Sequence, residues 1–195
     1  MGKLKGHRIT LRGKTAQGQN IELRPMTEGD WDILARWNND PDVLYYSEGD
    51  DVTSRKLEEV QDIYRSVSHQ AFCFIIELDE KPIGEGWLQR MNLKRILQRY
   101  PGLDCRRIDL TIGEKEYWGK RVGTEAIRLL TEFGFLEQGA DMIFGCDIAD
   151  YNVRSLRVFQ KAGYKIVARI EQPTGRKANY AQDIALAREG FLKQK

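Results

Sequence analysis

The residues able to do chemistry gather in two short stretches, YWGKRVGT and RIDLTI. In the first, Gly119-Lys120-Arg121-Val122-Gly123 leads into a strongly periodic helical segment. The first amides of a helix lack internal acceptors and the helix dipole favours negative charge there, so a glycine-containing turn at this place suits a phosphate. Lys120 and Arg121 add positive charge, and Val122 starts the buried face. The plainer alternative is a tight connection with no ligand, because the stretch lacks the GxxxxGK[ST] spacing of a P-loop and lies too late for a dinucleotide fingerprint. In the second stretch, Asp109 alternates with Ile108, Leu110 and Ile112 and therefore falls on the opposite face of its strand. A carboxylate there can take a proton from an amine or orient it. The competing reading is a surface or ion-paired carboxylate, held by Arg106 or Arg107.

The elements that must position these groups are read from periodicity. His7 to Arg12 and Gln19 to Arg24 alternate around a glycine-bearing turn and predict an N-terminal hairpin closed by Pro25. Thr27 or Asp30 caps a short helix with Trp31, Leu34 and Trp37 on one face, ended by Asn38-Asn39-Asp40-Pro41. An acidic loop, Ser47 to Asp51, follows, and then a helix from Ser54 to Ser66 that buries Leu57, Val60, Ile63 or Tyr64, and Val67. The run AFCFIIEL, Ala71 to Leu78, is apolar enough for a strand covered on both faces. Asp79-Glu80-Lys81 reverses the chain into a second strand from Pro82 through Trp87 and Leu88, where Gly84 and Gly86 permit close backbone approach. After the basic segment RMNLKRILQRYPG, Arg107 to Gly113 forms the strand that feeds the glycine turn. The helix behind that turn runs from Val122 to Leu136 on the spacing of Val122, Ala126, Leu129, Leu130, Phe133 and Leu136. Met142 to Ile148 reads as a buried strand, and Asn152 caps a helix ending near Gly163. Tyr164 to Ile170 and Tyr180 to Ala187 complete the strands.

In this order of elements, Trp118-Gly119-Lys120-Arg121-Val122-Gly123 resembles motif A of the GCN5-related N-acetyltransferase (GNAT) superfamily, Gln/Arg-x-x-Gly-x-Gly/Ala. Trp118 stands where the motif has Gln or Arg, and Arg121 where it has its central Gly. Asn152-Val153-Arg154-Ser155, followed by Phe159-Gln160-Lys161-Ala162-Gly163-Tyr164, is similar to the superfamily's later motif. The likeness extends from IELRPMTEGDWDILARW to the final strand and is strongest to aminoglycoside 6′-N-acetyltransferases. It overlaps the patterns of ribosomal-protein N-terminal acetyltransferases and siderophore-building acyltransferases. It implies an α/β (α+β) fold: a mixed, mostly antiparallel sheet splayed at the acyl-CoA site and flanked by about four helices, in one domain over residues 1–195.

The implied reaction is direct transfer of acetyl from acetyl-CoA to a primary amine of a small molecule such as an aminoglycoside. The resemblance puts the pantetheine beside Leu110, Thr111 and Ile112, whose backbone helps to polarise the thioester carbonyl. It assigns the rest of the cofactor site to Trp118, Gly119, Lys120, Arg121, Val122, Gly123, Thr124, Asn152, Ser155 and Lys161. Asn152 is equally explained as a helix cap alone. Many family members use a tyrosine to protonate the leaving thiolate, but Phe159 holds that position, leaving Tyr164, water or departure as thiolate. Tyr164 has the competing reading of a core aromatic. The acceptor side is assigned to Trp87, Asp109 and the carboxylates Glu48, Asp50 and Asp51, whose charge suits a polycation; the competing reading of that acidic loop is a solvated surface. The segment RMNLKRILQRYPG argues the other way: at the acceptor pocket its cations would repel a polycation and suit a carboxylated acceptor. The other readings are a peptide N-terminal acetyltransferase, a siderophore-type acyltransferase and a CoA-binding protein without catalysis.

Composition excludes broader classes. At 195 residues, with 41% hydrophobic and 31% charged residues, the chain can bury a core. A net charge of +2 gives no basic face for nucleic acid or membrane. The N-terminus lacks a signal peptide's apolar stretch and no segment is long enough to span a bilayer, so a cytoplasmic location is expected, as a monomer or homodimer. Cys73, Cys105 and Cys146 are too few and too scattered for a disulfide framework, and with only two histidines no metal site is expected.

Overall fold

A computed structural model of the protein describes residues 3–48 and 52–194. The first strands, β1 (Leu11–Lys14) and β2 (Asn20–Pro25), form the expected hairpin with later starts than the alternation suggests. Helix α1 (Trp31–Trp37) buries Trp31, Leu34 and Trp37, and the buried Asp30 before it is gripped by Arg24 at 2.7 Å. Helix α2 (Pro41–Ser47) is an element the sequence reading missed. Its signal is Asp40-Pro41: the Asp40 carboxylate accepts from the amides of Asp42 and Val43, and proline occupies the first helical position. Helix α3 (Leu57–Ser68) buries Val60 and Tyr64, whereas Leu57, expected inside, is 40% exposed because the helix begins at that residue.

Strands β3 (Ala71–Leu78) and β4 (Lys81–Arg90) are joined by a two-residue turn at Asp79 and Glu80, both with positive φ. The basic segment folds as α4 (Lys94–Arg99), and β5 (Cys105–Ile112) follows. Helix α5 (Val122–Glu132) relaxes into a π-helical turn over Phe133–Glu137, which turns Leu136 outward to 50% exposure against expectation. Strand β6 (Met142–Ala149), helix α6 (Val153–Lys161), strands β7 (Lys165–Glu171) and β8 (Tyr180–Ala187), and helix α7 (Arg188–Leu192) complete the chain. Among the described residues eight strands lie in the order β1-β2-β3-β4-β5-β6-β8-β7, and only β5 with β6 is a parallel pair. The mixed, mostly antiparallel sheet is as expected, with short α2, α4 and α7 adding to the helices foreseen.

Each face of the sheet has its own core. Phe74 and Ile76 of β3 point to the side covered by α5 and α6, while Cys73 and Ile75 point to the side covered by α1 and α3. Coverage on both faces is why AFCFIIEL has no polar alternation. Each fully buried large side chain in such a core stabilises by about 1.5–3 kcal/mol, so the two layers fix the strand register firmly.

Two features of the sheet make the site. Strands β5 and β6 pair only from Cys105↔Met142 to Arg107↔Phe144 and then diverge. A bulge in β6 between Gly145 and Ile148 marks the divergence, with Asp147 at φ 55 and its amide donating to Asp183. Phe159 of α6 lies directly on Gly145, where an added Cβ would meet its ring at 2.7 Å.

Candidate active site

The gap between β5 and β6 opens into a cleft of about 760 Å³ bounded by α2, α3, α5 and α6. Its walls differ in character because strand alternation sends neighbouring residues to different sides. Ile112 faces the gap with its backbone, since its carbonyl accepts from Trp118 Nε1 at 2.7 Å rather than from β4. By the two-residue alternation of an antiparallel ladder, the amide and carbonyl of Leu110 face the same open edge. Thr111 pairs with Glu85 in the ladder, so its backbone turns toward β4 and its side chain toward α3. Of the three backbones expected to meet a pantetheine, Leu110 alone is both aimed at the gap and free; Ile112's carbonyl is already engaged.

At the other side of the gap, Arg121 stands before α5 at φ 64, in the left-handed region. This is the position at which motif A has glycine, and an L side chain there costs roughly 1 kcal/mol. The amides of Gly119, Arg121, Val122 and Gly123 have no acceptor among the described residues, whereas those of Thr124 and Glu125 both donate to the Arg121 carbonyl. Open donors at a helix start with positive dipole form an anion cradle. Gly123 keeps it accessible: an added Cβ would find its nearest neighbour 3.8 Å away.

Trp118, Gly119, Arg121, Val122, Gly123, Thr124, Asn152, Ser155 and Lys161 all line the cleft. Lys120 does not, and its ammonium instead sits over the Tyr117 ring, 5.3 Å from the centroid. Trp118 acts as a brace: besides bonding Ile112, it packs with Arg154, whose guanidinium lies 4.4 Å from the Trp118 ring and 4.2 Å from that of Tyr46. Asn152 is committed as a cap, its oxygen accepting from the Ser155 amide at 3.2 Å and its nitrogen donating to the Tyr46 carbonyl at 3.1 Å.

Tyr164 is not brought to the cleft. It is buried against Phe159, and its hydroxyl is bonded to Thr131 at 2.7 Å, so burial raises its pKa and the core reading holds. Phe159 lines the cleft but carries no proton. Cys146 also lines it, with its thiol pushed up by burial and so kept protonated.

On the α3 side, Asp109 lies opposite the face of Ile108, Leu110 and Ile112, as the alternation predicts. The ion pair foreseen for it is with Arg107, at 2.6 and 2.8 Å, and Trp87 Nε1 adds a third bond at 2.7 Å. Arg106 is turned to Asp104 instead. Glu48 lines the cleft and is paired with Arg55 at 2.8 Å; Asp50 and Asp51 lie outside the described residues.

The residue that sequence reasoning missed is Glu85. It is buried at 6% exposure within β4, lines the cleft, and its Oε2 has no hydrogen-bond partner among the described residues. Burial first, and then the charge of Asp109, push its carboxyl up to about 8; the hydroxyls of Thr111 and Tyr64 oppose the rise only in part. Its signal was a charge between Gly84 and Gly86 in the otherwise uncharged stretch from Pro82 to Leu88. Those glycines face the other way, where a Cβ on Gly84 would meet the Thr111 carbonyl at 2.3 Å, so the close approach of β4 and β5 tightens the lattice in which Glu85 is held.

No residue of helix α4 lines this cleft, although Arg95 reaches Asp147, which does. Arg95 pairs with Asp147 and Asp183 at 2.8 and 2.9 Å, and Arg99 donates to the Val167 carbonyl. None of Arg90, Lys94, Arg95 or Arg99 lines the opening, so the expected objection to a polycationic acceptor does not arise.

A mixed sheet split beside an anion-ready helix start defines an acyl-group transferase, and the match of residues 20–165 to the family described as an acetyltransferase (GNAT) domain specifies it. The chain belongs to the GNAT acetyltransferase family, whose cofactor is acetyl-CoA. It is 27% identical over 175 residues to the aminoglycoside N(6')-acetyltransferase type 1 of Klebsiella pneumoniae, covering 83% of this chain and 82% of that one. A solved structure of AAC(6')-Ib in complex with ribostamycin and coenzyme A superposes with a TM-score of 0.75 at 25% identity, covering 90% of this chain and 97% of that one. The spermidine N-acetyltransferase of Vibrio cholerae, solved with CoA and spermine, shares the fold at a TM-score of 0.72 and 17% identity, covering 88% and 98% of the two chains. No helix among the described residues is long and apolar enough to cross a membrane.

Proposed function

We propose that the protein transfers an acetyl group from acetyl-CoA to a primary amine of a small polycation of the aminoglycoside class. The observation that carries this reading is the division of charge across the cleft. Arg121, Arg154, Arg157 and Lys161 line the α5 and α6 side, and Glu48, Glu85 and Asp109 line the α2 and α3 side. The first side suits phosphates, and the second offers carboxyl oxygens to the N–H groups of an amine. The likeness to enzymes named for aminoglycoside acetylation supports the same class.

The residues fit the cofactor on two observations of the chain itself: the unpartnered amides at the start of α5 and the free backbone edge at Leu110. Acetyl-CoA supplies the activated acetyl thioester. Gly119, Arg121, Val122 and Gly123 would hold its pyrophosphate through backbone amides, and Leu110 its pantetheine arm. Asp109 accepts a hydrogen bond from the amine and aims its lone pair at the gap, while Trp87 and Arg107 keep that carboxylate in one orientation. Burial raises the pKa of the Cys146 thiol, and the transfer proposed is direct, from thioester to amine.

The test is release of CoA thiol with aminoglycosides, polyamines and short peptides as acceptors. Turnover of aminoglycosides at kcat/KM well above that of peptides is expected. Turnover confined to peptide N-termini, or tight CoA binding with no release for any class, overturns the assignment.

A further inference from the structure

Neither the motif pattern nor the family likeness singles out Glu85, yet its placement is specific. Pairing of Glu85 with Thr111 and of Trp87 with Asp109 puts four side chains in a square on one face of the sheet, under α3. Glu85 and Asp109 occupy a diagonal, which in an antiparallel ladder spans about 7–8 Å between Cα atoms. We infer that Glu85 is the proton acceptor for the reacting amine, with Asp109 beside it as the group that orients that amine. The inference rests on the acetyl-transfer reading above.

The division of labour follows from what each carboxylate already holds. Both oxygens of Asp109 are bonded to Arg107, and one also to Trp87, so taking a proton would break a bidentate ion pair. Oε2 of Glu85 has nothing to lose, being buried without a partner. The groups acting on Glu85 are Tyr64 of α3, Asp109 and Thr111 of β5, and Glu48 just after α2, and beside it Cys73 of β3 is a buried thiol. None of these is a cation, and Arg107 and Arg55 are engaged by Asp109 and Glu48.

An entering ammonium supplies the missing positive charge. Its N–H bond breaks, the proton passes to the carboxylate of Glu85, which lines the cleft, and the nitrogen keeps the electron pair with which it attacks the acetyl carbon. The second N–H proton leaves with the thiol product, and the Glu85 carboxyl returns its proton to water. With the carboxyl pushed up to about 8, the acceptor is matched to an amine, and about one copy in ten is ionised at pH 7.

Glu85→Gln keeps the shape and the buried packing, so it tests the proton alone. Protein carrying glutamate labelled with carbon-13 at the carboxyl is titrated without ligand, and the resonance missing from Glu85→Gln assigns Glu85. The expected midpoint is near 8 in the wild type, moving down in Asp109→Asn because a repelling charge is removed. With kanamycin or spermine as acceptor, Glu85→Gln should lower kcat/KM by about 100-fold or more and abolish its rise between pH 7 and 9, with CoA affinity unchanged within twofold. A Glu85 resonance titrating among ordinary carboxylates, or Glu85→Gln acting at the wild-type rate with the wild-type profile, overturns the inference. Failure of the substrate reading instead shows as a wild type that acetylates neither amine.

Discussion

Replacing Glu85 by Gln also measures what it costs the fold to hold that carboxyl. In the folded chain its pKa stands at about 8 against 4.5 for the free side chain, with burial the first cause and Asp109 the second. The folded state therefore binds more protons than the unfolded chain across this window. The contribution to stability is fully present below 4.5 and is lost as pH rises through about 8. At about 1.4 kcal/mol per pH unit, the full loss has an upper bound of about 5 kcal/mol, as large as the lower end of the stability of an ordinary domain. Urea unfolding of wild type and variant over about pH 5 to 9 reads it, since the carboxylates that do not act on Glu85 cancel in the difference. Glu85→Gln should match the wild type to within about 1 kcal/mol at the acid end and exceed it by several kcal/mol at the alkaline end. A difference that stays flat with pH would mean that Glu85 titrates normally in both states, and the electrostatic account of the cleft would be wrong.

Other consequences follow from single contacts. Asp109→Asn should lower kcat/KM by about 100-fold through loss of orientation, leaving CoA binding by calorimetry nearly unchanged; full turnover would remove Asp109 from the mechanism. Tyr164→Phe should leave kcat intact but lower the unfolding free energy by about 1–2 kcal/mol, because the buried Thr131 hydroxyl loses its partner at 2.7 Å; a large drop in kcat would restore Tyr164 as an acid. Gly113→Ala would drive a Cβ to 2.2 Å from the Trp37 ring and should cost about 1–3 kcal/mol in denaturant unfolding, and a neutral effect would refute that packing.

The elements that periodicity marks strongly were legible from the residues alone. AFCFIIEL and the Tyr180 to Ala187 stretch have the bounds of β3 and β8, because an apolar run between turn residues has few other ways to satisfy its backbone. Short elements were not: α2 and α7 make a turn or two each, and α4 hid inside a run chosen for its charge. The C-terminal half of the glycine helix failed differently, since a π-turn shifts the phase and turns Leu136 outward while leaving the residue pattern helical.

For the site, sequence by itself determined the local chemistry: the glycine turn before α5, the face on which Asp109 stands, and the absence of a tyrosine at Phe159. These depend on neighbours a few residues apart, where backbone geometry is set locally. Tertiary structure decided which charges meet. Arg107 and not Arg106 holds Asp109, Arg95 of α4 is engaged by Asp147 and Asp183 and Arg99 by the Val167 carbonyl, and Tyr164 points to Thr131. Glu85 is the clearest case, since a glutamate becomes a proton acceptor only when burial strips it of water and leaves one oxygen without a partner, and both are set by α3 and β5, which lie far from it in sequence or across a strand pairing.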